Sequence, residues 1–276
     1  MNADTLLYFI TALLYFLLGV RDILLRRGQT HALAERMVSQ RAQALLFFVM
    51  IVHGLLLKRI LFASDLISLS LGNSLSLVGL ATVFMYWLAS FRYRLGILRS
   101  VLMLITALLV LAPLLLPDEK PIAYSHLLAF KIHLLVSLMA YGLFAVAALH
   151  AVLMAVMEQR LHNHDRSLSR WGALPSLVSM DSLLFQMILV GFVLLTATLV
   201  TGVLFSEAVF GRPLVWNHKV VFSFLAWLIY AGLLLARQVW GIRGRRAARW
   251  AVAGFILLVI GYLGSKFVVE IVLHRG

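Results

Sequence analysis

The chain of 276 residues contains no cysteine and few charged side chains, which make up 13% of its residues. The absence of cysteine excludes a disulfide framework, CxxC redox chemistry and covalent haem attachment through a CxxCH motif in this chain. Asp and Glu together number 11, against 24 Lys and Arg. No GxSxG, phosphate-loop or HExxH motif is present, so we expect the chain not to be an enzyme.

Apolar residues take the place of the missing charges, since 63% of the residues are hydrophobic and the mean hydropathy is +0.99. A soluble domain averages about 45–50% apolar and 25% charged residues, so the composition indicates a polytopic membrane protein. A spanning helix needs roughly 20 apolar residues. Eight segments approach that length: 5–20, 43–62, 75–91, 97–116, 126–157, 183–206, 220–239 and 248–272.

These segments predict the fold. Lipid offers no hydrogen-bond partner to a bare backbone, so we expect an all-α bundle of about eight transmembrane helices. The longest connections are only about two dozen residues, so we expect residues 1–276 to form a single integral membrane domain. The apolar N-terminus has no basic stretch before it and no A-x-A cleavage signal after it, which predicts a retained helix.

Basic residues in the connections predict the topology. One set of alternate connections holds 16: Arg21, Arg26, Arg27, Arg36, Arg41, Arg92, Arg94, Arg99, Arg160, Arg166, Arg170, Arg237, Arg243, Arg245, Arg246 and Arg249. The other side holds eight: Lys58, Arg59, Lys120, Lys131, Arg212, Lys219, Lys266 and Arg275. The positive-inside rule makes the richer set cytoplasmic and places both termini on the outer side. These charges act as topology signals, so the expected partner is the lipid bilayer and not nucleic acid.

Histidines are the main source of possible chemistry. His133 lies about 10 Å below the outer boundary, because seven helical residues rise roughly that far, and a polar residue at this depth faces the bundle or a cavity. His53 lies within the second predicted helix, and His218 and His274 lie at the outer ends of the seventh and eighth. Four histidines therefore converge on the outer half of the bundle. His150, nearer the cytoplasm, is expected to form an interhelical hydrogen bond.

The four outer histidines suit a haem or a transported metal. Neutral imidazole is a haem-iron ligand, and a porphyrin needs an apolar, aromatic-lined pocket with cations for its propionates. The candidates are Trp216 and Phe222 for the ring, and Lys219, Lys131 and Arg212 for the propionates. Metal transport usually calls for carboxylates within the membrane. Glu270, near a helix end and expected to pair with Lys266, does not meet that need.

Four stretches resemble one known family. They are HLLVSLMAYGLFAVAALHAVLM, FQMILVGFVLLTATLVTGVLFSEAVFG, VWNHKVVFSFLAWLIYAGLLLARQVWGIRGRRA and GFILLVIGYLGSKFVVE. They are similar to the cytochrome c assembly family of CcsA, CcmC and CcmF, and most of all to its short, eight-helix YpjD-like branch in bacterial inner membranes. The similarity covers most of the chain, and the CcsA-like region is strongest over residues 132–272.

The resemblance implies haem handling in the bacterial inner membrane, with the outer side in the periplasm. In that family, histidines flank a tryptophan-rich outer segment that holds haem for delivery to apocytochrome c. The resemblance makes His133 the first flanking histidine and His53 the intramembrane one, and His274 lies close to the position of the second. It implies a b-type haem that is bound non-covalently.

This chain departs from the family in the tryptophan-rich segment. Where the family has roughly WGRYWSWDPK, residues 210–219 read FGRPLVWNHK. Only Trp216 is retained, Asn217 stands at the acidic position, and His218 stands where proline is expected. The haem platform is therefore altered in this chain.

Three functional hypotheses follow. The first is a haem-binding or haem-handling membrane protein, with His133 and His218 as leading iron ligands, His53 as the deeper one, and Trp216, Lys219 and His274 as further cofactor contacts. The second is an accessory or regulatory subunit that has lost haem chemistry and acts through helix contacts with another membrane protein. The third, a small-molecule or ion transporter, is disfavoured because no inverted repeat or broken-helix pair is evident.

Overall fold

The computed structural model describes residues 3–28, 32–61, 67–93, 96–116, 122, 124–163, 176–210 and 217–268. Every regular element in these ranges is helical, and eight helical spans are long and apolar enough to cross a membrane. The prediction of an all-α transmembrane bundle with about eight helices is therefore confirmed.

Six of the eight helices, all but α4 and α8, are longer than the apolar segments that predict them. The eight are α1 Ala3–Gly28, α2 Ala32–Leu61, α3 Leu71–Ser90, α4 Gly96–Leu115, α5 Leu128–His162, α6 Leu177–Phe210, α7 His218–Trp240 and α8 Gly244–Val259. A π-helical turn, Ile260–Gly264, joins α8 to the short α9, Ser265–Phe267. Extension occurs where good helix formers such as Ala, Leu, Arg and Gln continue the hydrogen-bond ladder past the apolar stretch.

Consecutive spans run in opposite directions, and side-chain contacts show which helix ends lie together. At one end, here called the Lys266 end, Lys266 donates a hydrogen bond to the carbonyl oxygen of Leu69, just before α3. At the same end, Arg59 of α2 and Asp4 of α1 form an ion pair of 2.8 Å. Helices α1, α3, α5 and α7 therefore begin at the Lys266 end.

The opposite end, here called the Asp181 end, is held by buried ion pairs. One Asp181 oxygen lies 2.7 Å from Nη1 of Arg237, and the other accepts a hydrogen bond of 2.8 Å from the backbone N–H of Gly244. Asp22 of α1 pairs with Arg99 of α4 at 2.9 Å. The carboxylates of Asp22 and Asp181 are thus compensated, as the removal of a charge from water requires. Their contacts join α1 to α4, and α6 to α7 and α8.

Small residues allow α5 to approach its neighbours α3 and α6 closely. A Cβ on Gly142 would lie 2.7 Å from the carbonyl carbon and oxygen of Ala81, so the α5 and α3 backbones touch. The ring of Phe144 lies over Gly191 of α6 and stacks on Tyr230 of α7, with ring centroids 4.0 Å apart. Helices in lipid associate largely through such close packing, so α5 forms the centre of the bundle.

One predicted polar contact between helices is confirmed. Nε2 of the buried His150 lies 2.9 Å from the carbonyl oxygen of Met180, which joins α5 to the start of α6. The predicted pair of Lys266 with Glu270 involves a residue outside the described ranges. That pair stays a prediction, and within the described ranges Lys266 donates a hydrogen bond to the Leu69 carbonyl oxygen.

A methyl group at position 142 is expected to weaken the contact between α3 and α5. We expect Gly142→Ala to lower the free energy of unfolding by about 1–3 kcal/mol, the usual effect of overpacking a core, measured by thermal unfolding in detergent. Gly232→Ala in α7 is the matched control, because nothing lies within 4 Å of a Cβ at that position. Equal unfolding midpoints for the two variants would show that the contact at Gly142 does not matter.

Candidate cofactor site at the Lys266 end

The structure brings half of the predicted site residues to one end of the bundle. Those at the Lys266 end are His133 near the start of α5, and His218 and Lys219 in the first turn of α7. His53 lies deeper, within α2. The remaining two, Trp216 and His274, lie outside the described residues.

Thr201 of α6 orients the His133 ring. Nδ1 of His133 lies 3.1 Å from Oγ1 of Thr201. The Thr201 hydroxyl has a backbone acceptor of its own, the Ala197 carbonyl oxygen at 2.8 Å, which leaves the hydroxyl oxygen to accept a hydrogen bond from the imidazole. This arrangement favours the tautomer with the proton on Nδ1 and a lone pair on Nε2. Metal-ligating histidines are usually held in this way through their second nitrogen.

Aromatic and small residues surround the His133 ring. Phe205 lies parallel to it, with 6.5 Å between ring centroids and an interplanar angle of 7°, and Phe130 lies 5.7 Å from Phe205. Gly202 leaves room for the imidazole, because a Cβ there would lie 3.2 Å from Cε1 of His133. The half-buried histidine is thus held in an apolar setting.

His53 is buried and has a hydrogen-bonding neighbour at each ring nitrogen. Nδ1 lies 3.3 Å from the hydroxyl of Tyr15 in α1, and Nε2 lies 2.9 Å from Oγ of Ser76 in α3. The histidine therefore joins three helices. Its role as a metal ligand stays a prediction, and ligation would require it to give up one of these hydrogen bonds.

Asn217 explains part of the departure from the family pattern. Its side-chain oxygen accepts a hydrogen bond of 3.0 Å from the backbone N–H of Val220 and so caps α7. Asn and Asp cap helices about equally well, so asparagine keeps the cap while removing a charge. His218 and Lys219 follow in the first turn, and both are exposed, which makes them accessible to a ligand.

Tyr262 connects the cationic side chains of this end, although the sequence pattern does not single it out. Nζ of Lys219 lies 5.6 Å from the centroid of its ring and Nζ of Lys266 lies 5.9 Å from it. The Tyr262 hydroxyl is 3.4 Å from Oγ of Ser74 in α3. Tyr262 lies in the π-helical turn, and such turns are frequent at functional sites. The available sequence signal is the IGYLG stretch, in which glycines flank the tyrosine.

The donors at this end suit some ligands better than others. Among the described residues, no three His, Asp or Glu side chains come together to hold a metal ion. A bare ion such as zinc normally takes three or four protein ligands, whereas an iron held by a porphyrin needs only one or two axial ligands. One oriented imidazole, with lysines at the same end of the bundle, therefore fits a flat iron cofactor that carries carboxylates better than it fits a bare ion.

An apolar groove of about 330 Å³ lies between α2, α3 and α5. Its lining has no polar side chain, and α5 contributes Leu135, Leu138 and Met139. His133 faces α6 through Thr201, so the structure does not bring this histidine and the groove together. The groove suits an apolar ligand, such as a lipid chain or the face of a ring.

The fold and the site define a class of protein: a multi-pass helix bundle with histidine, lysine and tyrosine gathered at one end. Residues 38–273 match the family model described as "Cytochrome C assembly protein". The chain belongs to that family, as its resemblance predicts. No solved structure matches the chain.

The relatives support the membrane assignment. "Inner membrane protein YpjD" of Escherichia coli K12 is 33% identical over 141 residues, which are 51% of this chain and 52% of the relative. "Cytochrome c biogenesis protein CcsA" of Prochlorococcus marinus MIT 9515 is 42% identical over 88 residues, or 32% of this chain and 28% of the relative. The chain thus spans about half the length of the YpjD relative that it matches. With its eight spans, it is a multi-pass protein of the bacterial inner membrane.

The contacts of His53 generate a stability test. His53→Leu leaves the Tyr15 and Ser76 hydroxyls without their imidazole partner, and we expect the free energy of unfolding to fall by about 1–3 kcal/mol. The triple variant Tyr15→Phe/His53→Leu/Ser76→Ala removes all three polar groups and is expected to recover most of that loss. Thermal unfolding in detergent measures both. A triple variant no more stable than His53→Leu would argue against this hydrogen-bonded cluster.

Proposed function

We propose that this chain is a haem-binding, haem-handling membrane protein related in function to cytochrome c biogenesis factors. The observation that carries the proposal is His133, whose Nδ1 is engaged by Thr201 at 3.1 Å and whose Nε2 lone pair is left for iron. Membership of the cytochrome c assembly family supports it, as does the name of the CcsA relatives, which are cytochrome c biogenesis proteins.

Haem supplies an iron whose axial positions accept imidazole nitrogens. His133 is the first proposed ligand, and Thr201 positions it. His218 is the second, because it is exposed in the first turn of α7 at the same end. His53 is the deeper candidate, and it would exchange its hydrogen bond with Ser76 or Tyr15 for the iron.

The remaining contacts follow from the chemistry of the haem edge. Lys219 is proposed to bind the propionates, with Trp216 against the ring and His274 as a further contact. We propose a b-type haem held without covalent bonds, since the chain has no cysteine to form thioether links. The proposed role is to hold and present haem without catalysing its attachment.

We propose that the Lys266 end faces the periplasm. The connections at the Asp181 end carry 16 basic residues and those at the Lys266 end carry eight, and the richer side is normally cytoplasmic. Haem at His133 would then lie within reach of an apocytochrome or of a membrane partner with a periplasmic surface.

A second candidate function is an accessory subunit of another membrane protein. The reduced tryptophan segment favours it, because Trp216 is the only tryptophan in residues 210–219. Such a subunit would act through helix contacts without haem. Isolation of the chain alone in mild detergent, with haem bound, would contradict this alternative.

Absorption spectra test the haem proposal directly. Protein purified from haem-replete cells is expected to show a Soret band, and His133→Ala is expected to lose or shift it. Thr201→Val keeps the side-chain shape but removes the hydrogen-bond acceptor. We expect about 10–100-fold weaker haem binding, as for other changes to a residue that holds a metal-binding histidine in place. His162→Ala is the matched control, because His162 is exposed at the other end of α5. We expect this variant to show an unchanged Soret band.

Two outcomes decide against parts of this proposal. A well-folded preparation without Soret absorbance would contradict haem binding altogether. A Soret band that persists in His133→Ala and disappears in His218→Ala would show that the protein binds haem through His218 of α7 and not through His133.

Sidedness can be tested without background labelling, because the chain has no cysteine. His126→Cys at the Lys266 end and Ser176→Cys at the Asp181 end introduce single thiols at exposed positions. A membrane-impermeant maleimide added to intact spheroplasts is expected to label the first variant and not the second. The opposite pattern would place the proposed haem site on the cytoplasmic side.

A further inference from the structure

Lysine is confined to one end of the bundle, whereas arginine occurs at both. All 16 basic residues in the connections of the Asp181 end are arginine, whereas the five lysines all belong to the Lys266 end: Lys58, Lys120, Lys131, Lys219 and Lys266. The positive-inside rule counts both residue types alike, so sidedness does not explain the choice of arginine. Arginine differs in its planar guanidinium, which binds a phosphate through two parallel hydrogen bonds.

A groove beside the start of α8 is lined by two of these arginines. Its volume is about 420 Å³, and its lining residues are Ile242, Arg246, Arg249, Trp250 and Ala253. The last four are spaced i, i+3, i+4 and i+7, so they form one stripe along the helix. The alanines between them are buried against the bundle, which turns the stripe outward.

Two carboxylates beside the start of α8, those of Asp181 and Glu158, do not line this groove. Asp181 binds Arg237 and the backbone N–H of Gly244. Glu158 of α5 lies beside Gly244, with one oxygen 3.0 Å from the position of a Cβ there. Within the described part of the chain, the groove lining therefore contains two exposed guanidinium groups and no negative charge.

The position of the groove selects an amphipathic ligand. Helix α8 begins the span Gly244–Phe267, and Trp250 in its second turn is 54% exposed, as is typical of the aromatic belt at a membrane interface. Arg246 lies nearer the helix start, whereas Ala253 lies further into the span. A ligand with a negative head and an apolar tail matches this order.

We propose that the groove binds one anionic phospholipid of the adjoining leaflet. The headgroup phosphate of this lipid lies between Arg246 and Arg249, and one of its acyl chains packs against Trp250 and Ala253. Basic pockets at the ends of transmembrane helices bind anionic headgroups through the same attraction. The site is separate from the proposed haem site, which lies at the opposite end of the bundle.

Native mass spectrometry of the full chain in mild detergent tests the lipid site. The chain is titrated separately with phosphatidylglycerol and with phosphatidylcholine of equal chain length. We expect one tightly bound phosphatidylglycerol, and roughly thirtyfold weaker binding in Arg246→Gln/Arg249→Gln, from the loss of two arginine–phosphate attractions. Zwitterionic phosphatidylcholine is expected to bind weakly and equally to both proteins.

Two further variants distinguish binding in the groove from attraction by the overall positive charge of this end. Arg243→Gln/Arg245→Gln removes the same charge from the same region, but from side chains outside the groove lining. We expect it to change phosphatidylglycerol affinity by less than about threefold, because exposed guanidinium groups that do not contact the phosphate attract it only weakly through solvent. Arg246→Lys/Arg249→Lys keeps the charge, and we expect about tenfold weaker binding because an ammonium group cannot bind in a bidentate way. The lysine variant also decides the matter if the glutamine variant fails to fold.

Several results would overturn the proposal. Equal losses in the two glutamine double variants would show that only overall charge matters. Equal binding of phosphatidylglycerol and phosphatidylcholine would remove the basis for headgroup recognition. Displacement of the lipid by millimolar inorganic phosphate would show a site for free phosphate instead of a lipid.

Discussion

Where α5 crosses α3, Gly142 brings two helix backbones into contact, with 2.7 Å between the Ala81 carbonyl and the position that a Cβ would occupy. Lipid tails are as apolar as leucine, so helices in a membrane are held together by packing and not by a hydrophobic force between them. Helix α5 carries His133 near one end and Glu158 near the other. Its placement therefore determines both the contact with Thr201 in α6 and the approach to α8 at the opposite end.

Several helices contribute residues to the site at the Lys266 end, and no single helix supplies all of them. The orientation of His133 depends on the packing of α5 against α6, through Thr201. Lys219 and Lys266 reach the ring of Tyr262 because α7 lies next to α8 and because α8 ends in a π-helical turn. A half-buried imidazole that Thr201 orients then lies at the same end as several cations. This combination suits a flat ligand that carries carboxylates.

The two ends of the bundle differ in their chemistry. At the Asp181 end, the few carboxylates are used to join helices, since Asp22 and Asp181 are both buried against arginine. Two further arginines of that end, Arg246 and Arg249, lie on the exposed stripe of α8. At the Lys266 end, the polar side chains include histidine, lysine and tyrosine. His53 and His133 there contact neutral hydroxyl groups. Ion pairs at one end therefore join the helices, and the other end carries side chains that could bind a cofactor.

Composition and the long continuous apolar runs determined the class of this protein, because runs of about 20 apolar residues satisfy their backbone in lipid as helices. The order of its segments was enough to predict the family, and the polar contact of His150 was also predicted correctly. The partners of His53 and the pairing of His133 with Thr201 were decided only by the tertiary structure. A helix that is apolar all round carries no strong stripe to show which face meets a neighbour, so its rotation emerges only when all the helices pack together.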